Sequence, residues 1–522
     1  MMPAIRVNRL TATLSRGPQL VLLALLALPL IAVACLALAA PAGRFAGLWG
    51  AAKTWRLAGE TLGLCVRAAA IAMVIAVPAA WALARLPGPA AVVGIAVGLM
   101  PILLPSGLLA TAWIAILGRQ GLLTAWINPG ASDIYTAWGA AMAMAWRYYG
   151  LGVLVVCVHL LRQRGQWPSR NAFALARRDR WLHLTWRPAL LPTVAGWAGI
   201  FLLCLNDHVL PDLLLVSTLG TQMTVLQSAM MDSSGAAALG IPPAVVAMGL
   251  FLLGLQAVRP LRDSGTSALV APGRPCWLAA LPAAVMLLPP VLVPAAVLAA
   301  NIASPGELLT VLCDSRGQVW QSLTAGGLAS VLAVAAGTVL ARAWRRDGQN
   351  GQASLAPVTL ILLALPPSLV GIGIIELFNH WPLYLARTTQ VGMVFGYFVR
   401  LTPLAMLTVY SLWPRELHLA ERAAWVCRVP RLQAWTQIYW PGYRLALAVA
   451  MLLCLAITIT DLELSVLLAP PGGATLGVRL ATMMHTASQA MVSALALDLL
   501  LIVTPLLLAV TTLLGVRLGR ED

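Results

Sequence analysis

The sequence predicts an all-α integral membrane protein of about twelve transmembrane helices, arranged as two homologous six-helix halves in parallel orientation. Three observations predict it. Of 522 residues, 60% are hydrophobic and 10% charged, whereas soluble domains carry about 25% charged residues. The apolar residues fall in continuous runs of the roughly 20 residues that a helix needs to cross hydrocarbon, without the alternation of a barrel strand. Short motifs of the first half also recur in the second. Only helices and closed barrels satisfy their backbone hydrogen bonds in lipid, so continuous runs select helices; mean hydropathy is +0.86.

In order, the predicted spans of the first half are 20–40, 61–84, 91–116, 136–161, 189–215 and 238–257. Those of the second are 277–300, 320–342, 354–378, 390–413, 442–468 and 488–515. The first run follows Arg6, Arg9 and Arg16 and ends in LALAAPAG, which imitates a signal peptide. It is longer than a signal core of about 7–15 residues, so an uncleaved first span is expected. Residues 1–257 and 277–522 form the halves, and 258–276, with PLRDSGTSALVAPGRP, reads as a Gly/Pro/Ser-containing linker.

Loop charge sets the predicted sidedness. The loop from Arg162 to Arg187 holds seven arginines, and the one from Arg415 to Arg444 holds five. The linker adds Arg259, Arg262 and Arg274, and all of these fall on the N-terminal face. The opposite face has only Arg44, Lys53, Arg56, Arg119, Arg316, Arg387 and Arg479. By the positive-inside rule both termini are expected in the cytoplasm.

The repeat rests on spacing. TLGTQM at 218–223 recurs as TLGVRL at 475–480; Asp207 recurs as Asp461; Arg147, in the fourth span, recurs as Arg400. The offsets are 257, 254 and 253. Six spans return the chain to its starting side, so the halves share one orientation and a pathway between them is expected.

Charges inside spans are expensive and default to functional candidates. The main cases are Arg67, Arg147, Asp207, Arg400, Asp461 and Glu463. For Arg147 and Arg400 the alternatives are a pathway role, an inter-helix ion pair or a snorkelling side chain. For Asp207 and Asp461 they are a cation path or helix-end stabilisation. Asp461 and Glu463, two residues apart, do not share one helical face.

Between the fourth and fifth spans of the second half lies ERAAWVCRVPRLQAWTQIYWP, residues 421–441. This segment resembles the cytoplasmic EAA loop of permease subunits of binding-protein-dependent ABC importers, whose pattern is E-A-A, three residues, G, nine residues, I, one residue, L, P. Ala423 and Ala424 match the alanines, Ile438 the isoleucine and Pro441 the proline. Arg422 stands at the glutamate place with Glu421 before it, Arg428 at the glycine place and Trp440 at the leucine place. With Arg428 there, the turn is made in an allowed conformation or shifts to Val429-Pro430. Trp425, Leu432, Trp435 and Ile438 are expected to offer an apolar face to a partner groove. An interfacial helix with its arginines toward lipid phosphate is the alternative. The first half holds a poorer copy, RNAFALARRDRWLHLTWRPALLP, with Arg180, Trp181 and Pro188 at related places.

DLELSVLLAPPGGATLGVRLATMMH and the proline-rich third spans, LLALPPSLVGIGIIELF and MPILLPSGLLATAWIAILG, are similar to the fused permeases of the ferric iron and thiamine importer group. The resemblance implies an ATP-driven importer subunit with a dimer of separate ATP-binding subunits below and a periplasmic substrate-binding protein above. It implies a small polar solute as cargo. An ion-gradient-driven, twelve-helix secondary transporter is the rival class.

The sequence also excludes chemistry. The only lysine is Lys53, preceded by Ala52, so the chain has no Gly-Lys-Ser/Thr phosphate loop. Eight cysteines include no CxxC pair, and the six histidines are dispersed, so no metal, cofactor or catalytic group is expected. The arginine excess has the positive-inside explanation, and no basic soluble module argues for nucleic acid.

Overall fold

The structure is a computed structural model that describes residues 17–39, 42–119, 121, 134–164, 187–263, 277–302, 304–349, 354–380, 382–386, 388–413, 420, 423–424 and 426–521. Among these residues the regular structure is all helical. Eight helices are long and apolar enough to cross a membrane, or up to eleven if each of three bent pairs counts as one span. The chain is a multi-pass membrane protein.

In the first half, α1 (Gly17–Ala39) leads to a short surface helix, α2 (Ala42–Gly50), and then to α3 (Ala52–Leu83). The third predicted span is not one helix. It divides into α4 (Gly88–Leu103) and α5 (Ser106–Leu117), bent by 91°. Pro105 removes a backbone donor and forces the preceding residue out of the helical region, and Leu104 is accordingly extended, with ψ 139. Next come α6 (Ala137–Arg164), α7 (Arg187–Asn206), the short α8 (Val209–Leu213), α9 (Leu219–Ser228) and α10 (Ser233–Asp263). The predicted span 189–215 therefore ends early, at Asn206, and the polar Asp207 and His208 separate it from the short helix that follows.

The second half follows the same order. Its first predicted span is α11 (Ala280–Leu287) and α12 (Pro289–Ala300), bent by 49° at Pro289. A surface helix, α13 (Pro305–Asp314), precedes α14 (Arg316–Gln349). The predicted span 354–378 is a 3-10 helix, Ala356–Ala364, set at 108° to α15 (Pro367–Leu377). Leu365, with ψ 139, plays the part of Leu104 before the Pro366-Pro367 break. Then come α16 (Val391–Leu412), α17 (Arg431–Ala434) with a π turn over Trp435–Tyr439, and α18 (Trp440–Thr460). The chain closes with α19 (Glu463–Leu468), α20 (Leu476–Thr486) and α21 (Gln489–Glu521). The predicted span 442–468 likewise breaks, after Thr460.

Packing within the halves is parallel. α3 lies on α6 and α7, and α14 lies on α16 and α18. Small residues permit this closeness where lipid gives no hydrophobic push between helices. Ala68, Ala69, Ala72, Ala76, Ala79 and Ala80 of α3 are fully buried. A Cβ on Gly152 would sit 2.9 Å from Ala76, and one on Gly337 would sit 2.6 Å from the Met406 backbone.

Between the halves the first spans are exchanged, and the last spans bridge their own half and the other. α1 packs on α15, and α10 on α15 and the 3-10 helix before it. Conversely, α11 packs on α3 and α4, α12 on α5, and α21 on α4. The contact of α1 is close enough that a Cβ on Gly373 would meet the Pro29 carbonyl at 2.1 Å.

Candidate functional site

The breaks after α7 and α18 gather the buried charges. Asp207 follows α7, and its Oδ1 accepts the N–H of Leu210 at 3.2 Å, capping α8. Its Oδ2 accepts the Tyr148 phenol at 2.8 Å and lies 3.8 Å from Arg147 Nη1. Arg147 donates from Nη1 to Ser106 Oγ at 2.5 Å, and that hydroxyl lies 3.5 Å from Asp207 Oδ1. Ser106 is the first residue of α5 and Arg147 sits in α6, so one carboxylate joins three elements.

Asp461 does the same after α18. One carboxylate oxygen bonds Arg400 of α16 directly. The other accepts the N–H groups of Leu464 at 3.0 Å and Ser465 at 3.4 Å, capping α19. Ser465 Oγ is in turn bonded to the Tyr397 phenol at 2.5 Å. Both arginines thus form inter-helix ion pairs and both aspartates stabilise a helix start.

The repeated TLG segments complete each break. Thr218 and Thr475 accept the N–H of Thr221 and Val478 and cap α9 and α20. Leu219 N–H donates to Thr61 Oγ1 at 3.1 Å, and Leu476 N–H to Ser322 Oγ at 2.9 Å. A Cβ on Gly220 would lie 2.5 Å from the His208 Cβ, and one on Gly477 would lie 2.6 Å from the Asp461 carbonyl oxygen. These glycines are held by close approach to the break itself.

Glu463 diverges from Asp461. Its Oε1 reaches across the halves to His208 Nδ1 at 3.5 Å, both side chains being about a tenth exposed. Beside His208 a small crevice, with room for about one water molecule, is lined by Thr61, Asn206 and Gly220 of the first half and Pro366 and Ser368 of the second. Sequence reasoning missed Ser106, Tyr148 and the pairing of His208 with Glu463. The signal was the position of His208 and Glu463, one and two residues after the repeated aspartates. Arg67 lies apart from this layer, donating to the Gly63 carbonyl at 3.0 Å with its guanidinium 5.2 Å over the Trp138 ring. Among the described residues no three His, Cys, Asp or Glu side chains converge as metal ligands.

The second candidate region is the segment before α18. Arg428 adopts φ 51, in the left-handed region that favours glycine. The Val429 N–H donates to the Ala424 carbonyl at 3.0 Å and Cys427 N–H to Ala423 at 2.8 Å. A left-handed residue with this six-to-one hydrogen bond is a Schellman turn, which stops a helix. Pro430 follows, and its carbonyl accepts Ala434 N–H at 2.9 Å as α17 begins. The turn therefore stays at Arg428, in its left-handed conformation, and does not shift to Val429-Pro430. Pro441 lies in the first turn of α18, where its missing donor costs nothing.

Ala424 is buried, while Ala423, Val426, Leu432 and Trp440 are exposed. Ile438 is half-buried, with part of its side chain packed on the core. Its position in the π turn, one residue before Tyr439, directs it toward the bundle. The end of α14 grips the hairpin: Arg342 lies 5.5 Å over the Tyr439 ring, and Arg345 lies 5.6 Å over Trp413, which meets Tyr443 edge-on at 4.4 Å. Glu421, Arg422, Arg180 and Trp181 and the side chains of Trp425, Trp435 and Pro188 lie outside the described residues.

Neither a family model nor a curated protein matches the chain. The functional reading therefore rests on the residues and their geometry.

Proposed function

We propose that the chain is the transmembrane subunit of an ATP-driven ABC importer. In this reading its two six-span halves form an alternating-access pathway for a small polar solute that a periplasmic binding protein delivers. It sits in a bacterial inner membrane with both termini in the cytoplasm. The observation that carries the reading is the turn at Arg428. The EAA pattern has glycine at that place, and the chain there takes a backbone conformation that glycine favours, between a helical turn closed on Ala423 and Ala424 and the start of α17. Val426 and Leu432 are exposed at 71% and 76% on either side of it, which suits insertion into a groove of a partner.

ATP hydrolysis belongs to separate partner subunits, and closure of those subunits moves the hairpin and, through Arg342 and Arg345, the end of α14. The charged layer between the halves is the pathway element in this reading. A test is to place a cysteine at Val426 or Leu432 and crosslink the assembled complex. Contact with the ATP-binding subunit is expected; absence of contact from both positions in an intact complex sinks the coupling assignment.

The buried charges favour one rival, an ion-gradient-driven transporter, because intramembrane carboxylates and histidines serve as proton relays. Solute uptake by the purified chain alone in vesicles, under a proton or sodium gradient, would decide for that class.

A further inference from the structure

We propose that His208 and Glu463 share one proton, and that this proton latches the two halves of the chain together across the central charged layer. The inference stands apart from what energises the pathway. Thr224 has a single hydroxyl proton, and it goes to the Gly220 carbonyl at 3.1 Å. With the hydroxyl proton so placed, the proposed tautomer has His208 Nε2, 3.1 Å from the same hydroxyl oxygen, as the donor. The other ring nitrogen, Nδ1, faces the Glu463 carboxylate at 3.5 Å. With Nε2 protonated, a neutral imidazole presents a lone pair at Nδ1, and the carboxylate presents another.

Two facing acceptors away from water repel. One added proton, on Nδ1 or on the carboxyl, converts the repulsion into a charge-assisted or neutral hydrogen bond. Among the described residues the Glu463 Oε2 has no hydrogen-bond partner, so His208 is the one group in direct contact with this carboxylate.

The neighbouring charges leave the proton to this pair. Arg147 is paired with Asp207 and Arg400 with Asp461, and both guanidiniums also attract Glu463 from beyond ion-pair distance. Asp212 is the remaining carboxylate near His208, and His485 stands near Asp212. Cys65 and Cys204 border Asp207, and the Tyr148 phenol donates to it. Glu463 is thus the third carboxylate of a layer with two guanidiniums. The crevice reaches His208 past Asn206 and Ser368, whose Oδ1 and Oγ have no partner among the described residues. This gives a proton a polar route to the pair.

The test uses the full chain in lipid nanodiscs, in a variant without native cysteines. Spin labels at Met231→Cys and Tyr384→Cys, both exposed and on opposite halves, report the separation by pulsed electron resonance. Between about pH 5.5 and about pH 8.5, the range where histidine loses its proton, the ratio of long to short separations should rise at least roughly threefold. His208→Gln and Glu463→Gln should each abolish the pH response. In Glu463→Gln the amide donates to Nδ1 without any added proton, so the short separation should persist at both pH values. A ratio unchanged by pH in the labelled parent overturns the proposal, as does either variant that keeps the parent's response. Loss of crosslinking at Val426 would leave these separations unaffected, so the coupling assignment and the latch fail independently.

Discussion

At the first break, Asp207 divides its two oxygens among a phenol, a hydroxyl, a backbone N–H and a guanidinium 3.8 Å away. At the second, Asp461 holds Arg400 directly and spends its other oxygen on two backbone N–H groups. The same duties, helix capping and charge compensation, are distributed over neutral hydroxyls in one half and concentrated in an ion pair in the other. The difference extends outward. Leu215 takes φ 59 three residues before Thr218, where Gly472 takes φ 75 three residues before Thr475. Asp232, bonded to Arg44, caps α10, whereas the neutral Ser488 caps α21 through the Met491 N–H at 3.4 Å. One backbone plan tolerates different side chains wherever the hydrogen-bonding duty, and not the residue, is what the fold requires.

The largest expected effect separates the two ion pairs. Removing one partner of a buried pair strands the other charge at a cost of about 3–5 kcal/mol. Arg400→Ala should approach that loss, while Arg147→Ala should cost roughly 1–2 kcal/mol less, because Tyr148 still donates to Asp207. Thermal unfolding of the purified variants in detergent checks the order, and equal losses would break the comparison. The double change Arg400→Ala with Asp461→Ala should recover much of the single loss.

A smaller effect tests the shared part of the plan. Gly220→Ala and Gly477→Ala each thrust a Cβ against the break at about 2.5 Å, an overpacking worth roughly 1–3 kcal/mol. Similar losses in the same unfolding assay are expected in both halves. Next come the left-handed turns. Leu215→Gly should stabilise and Gly472→Leu destabilise, each by about 1–2 kcal/mol, measured as opposite shifts of the unfolding temperature.

The smallest effect is the pH dependence of the caps. Burial raises the Asp232 carboxyl, but the Gly235 N–H, the Ser234 hydroxyl and Arg44 outweigh it and hold the group below the usual carboxylate range. A lowered folded value means stability that is present above the unfolded carboxylate pKa and lost as pH falls through the folded one. With Arg44 nearly half exposed, screening keeps the contribution under about 1 kcal/mol. Amide exchange, corrected for its intrinsic pH dependence, should rise in acid at the start of α10 and stay unchanged at the start of α21.

The apolar runs made the helices legible, since a run that cannot be solvated must be buried or spanned. The breaks were less legible. Pro105 and Pro366 stood in proline-rich stretches, but proline kinks and proline stops read alike in sequence, so bends of 91° and 108° could not be read from it. Asp207 and Asp461 were recognisable as a repeated pair, and Arg147 and Arg400 as their candidates. The crossing from His208 to Glu463 was not, because it joins residues 255 positions apart on different halves. Arg428 was marked by its place in a glycine-bearing pattern, while Leu215 lacked any such marker.

The exchange of first spans has a consequence for how the chain is made. α1 ends at Ala39; α10 of its own half, which also packs on it, begins at Ser233, but α15 begins only at Pro367, so about 330 residues of synthesis separate α1 from its partner in the other half. At roughly 5–20 residues per second, the newborn α1 waits some 15 to 65 seconds in the bilayer before its mate emerges. During that interval its Gln19, buried in the finished protein, has no finished protein to be buried in. Biogenesis of this molecule therefore includes a period in which α1 is incompletely packed, and membrane quality-control machinery has that long to find it.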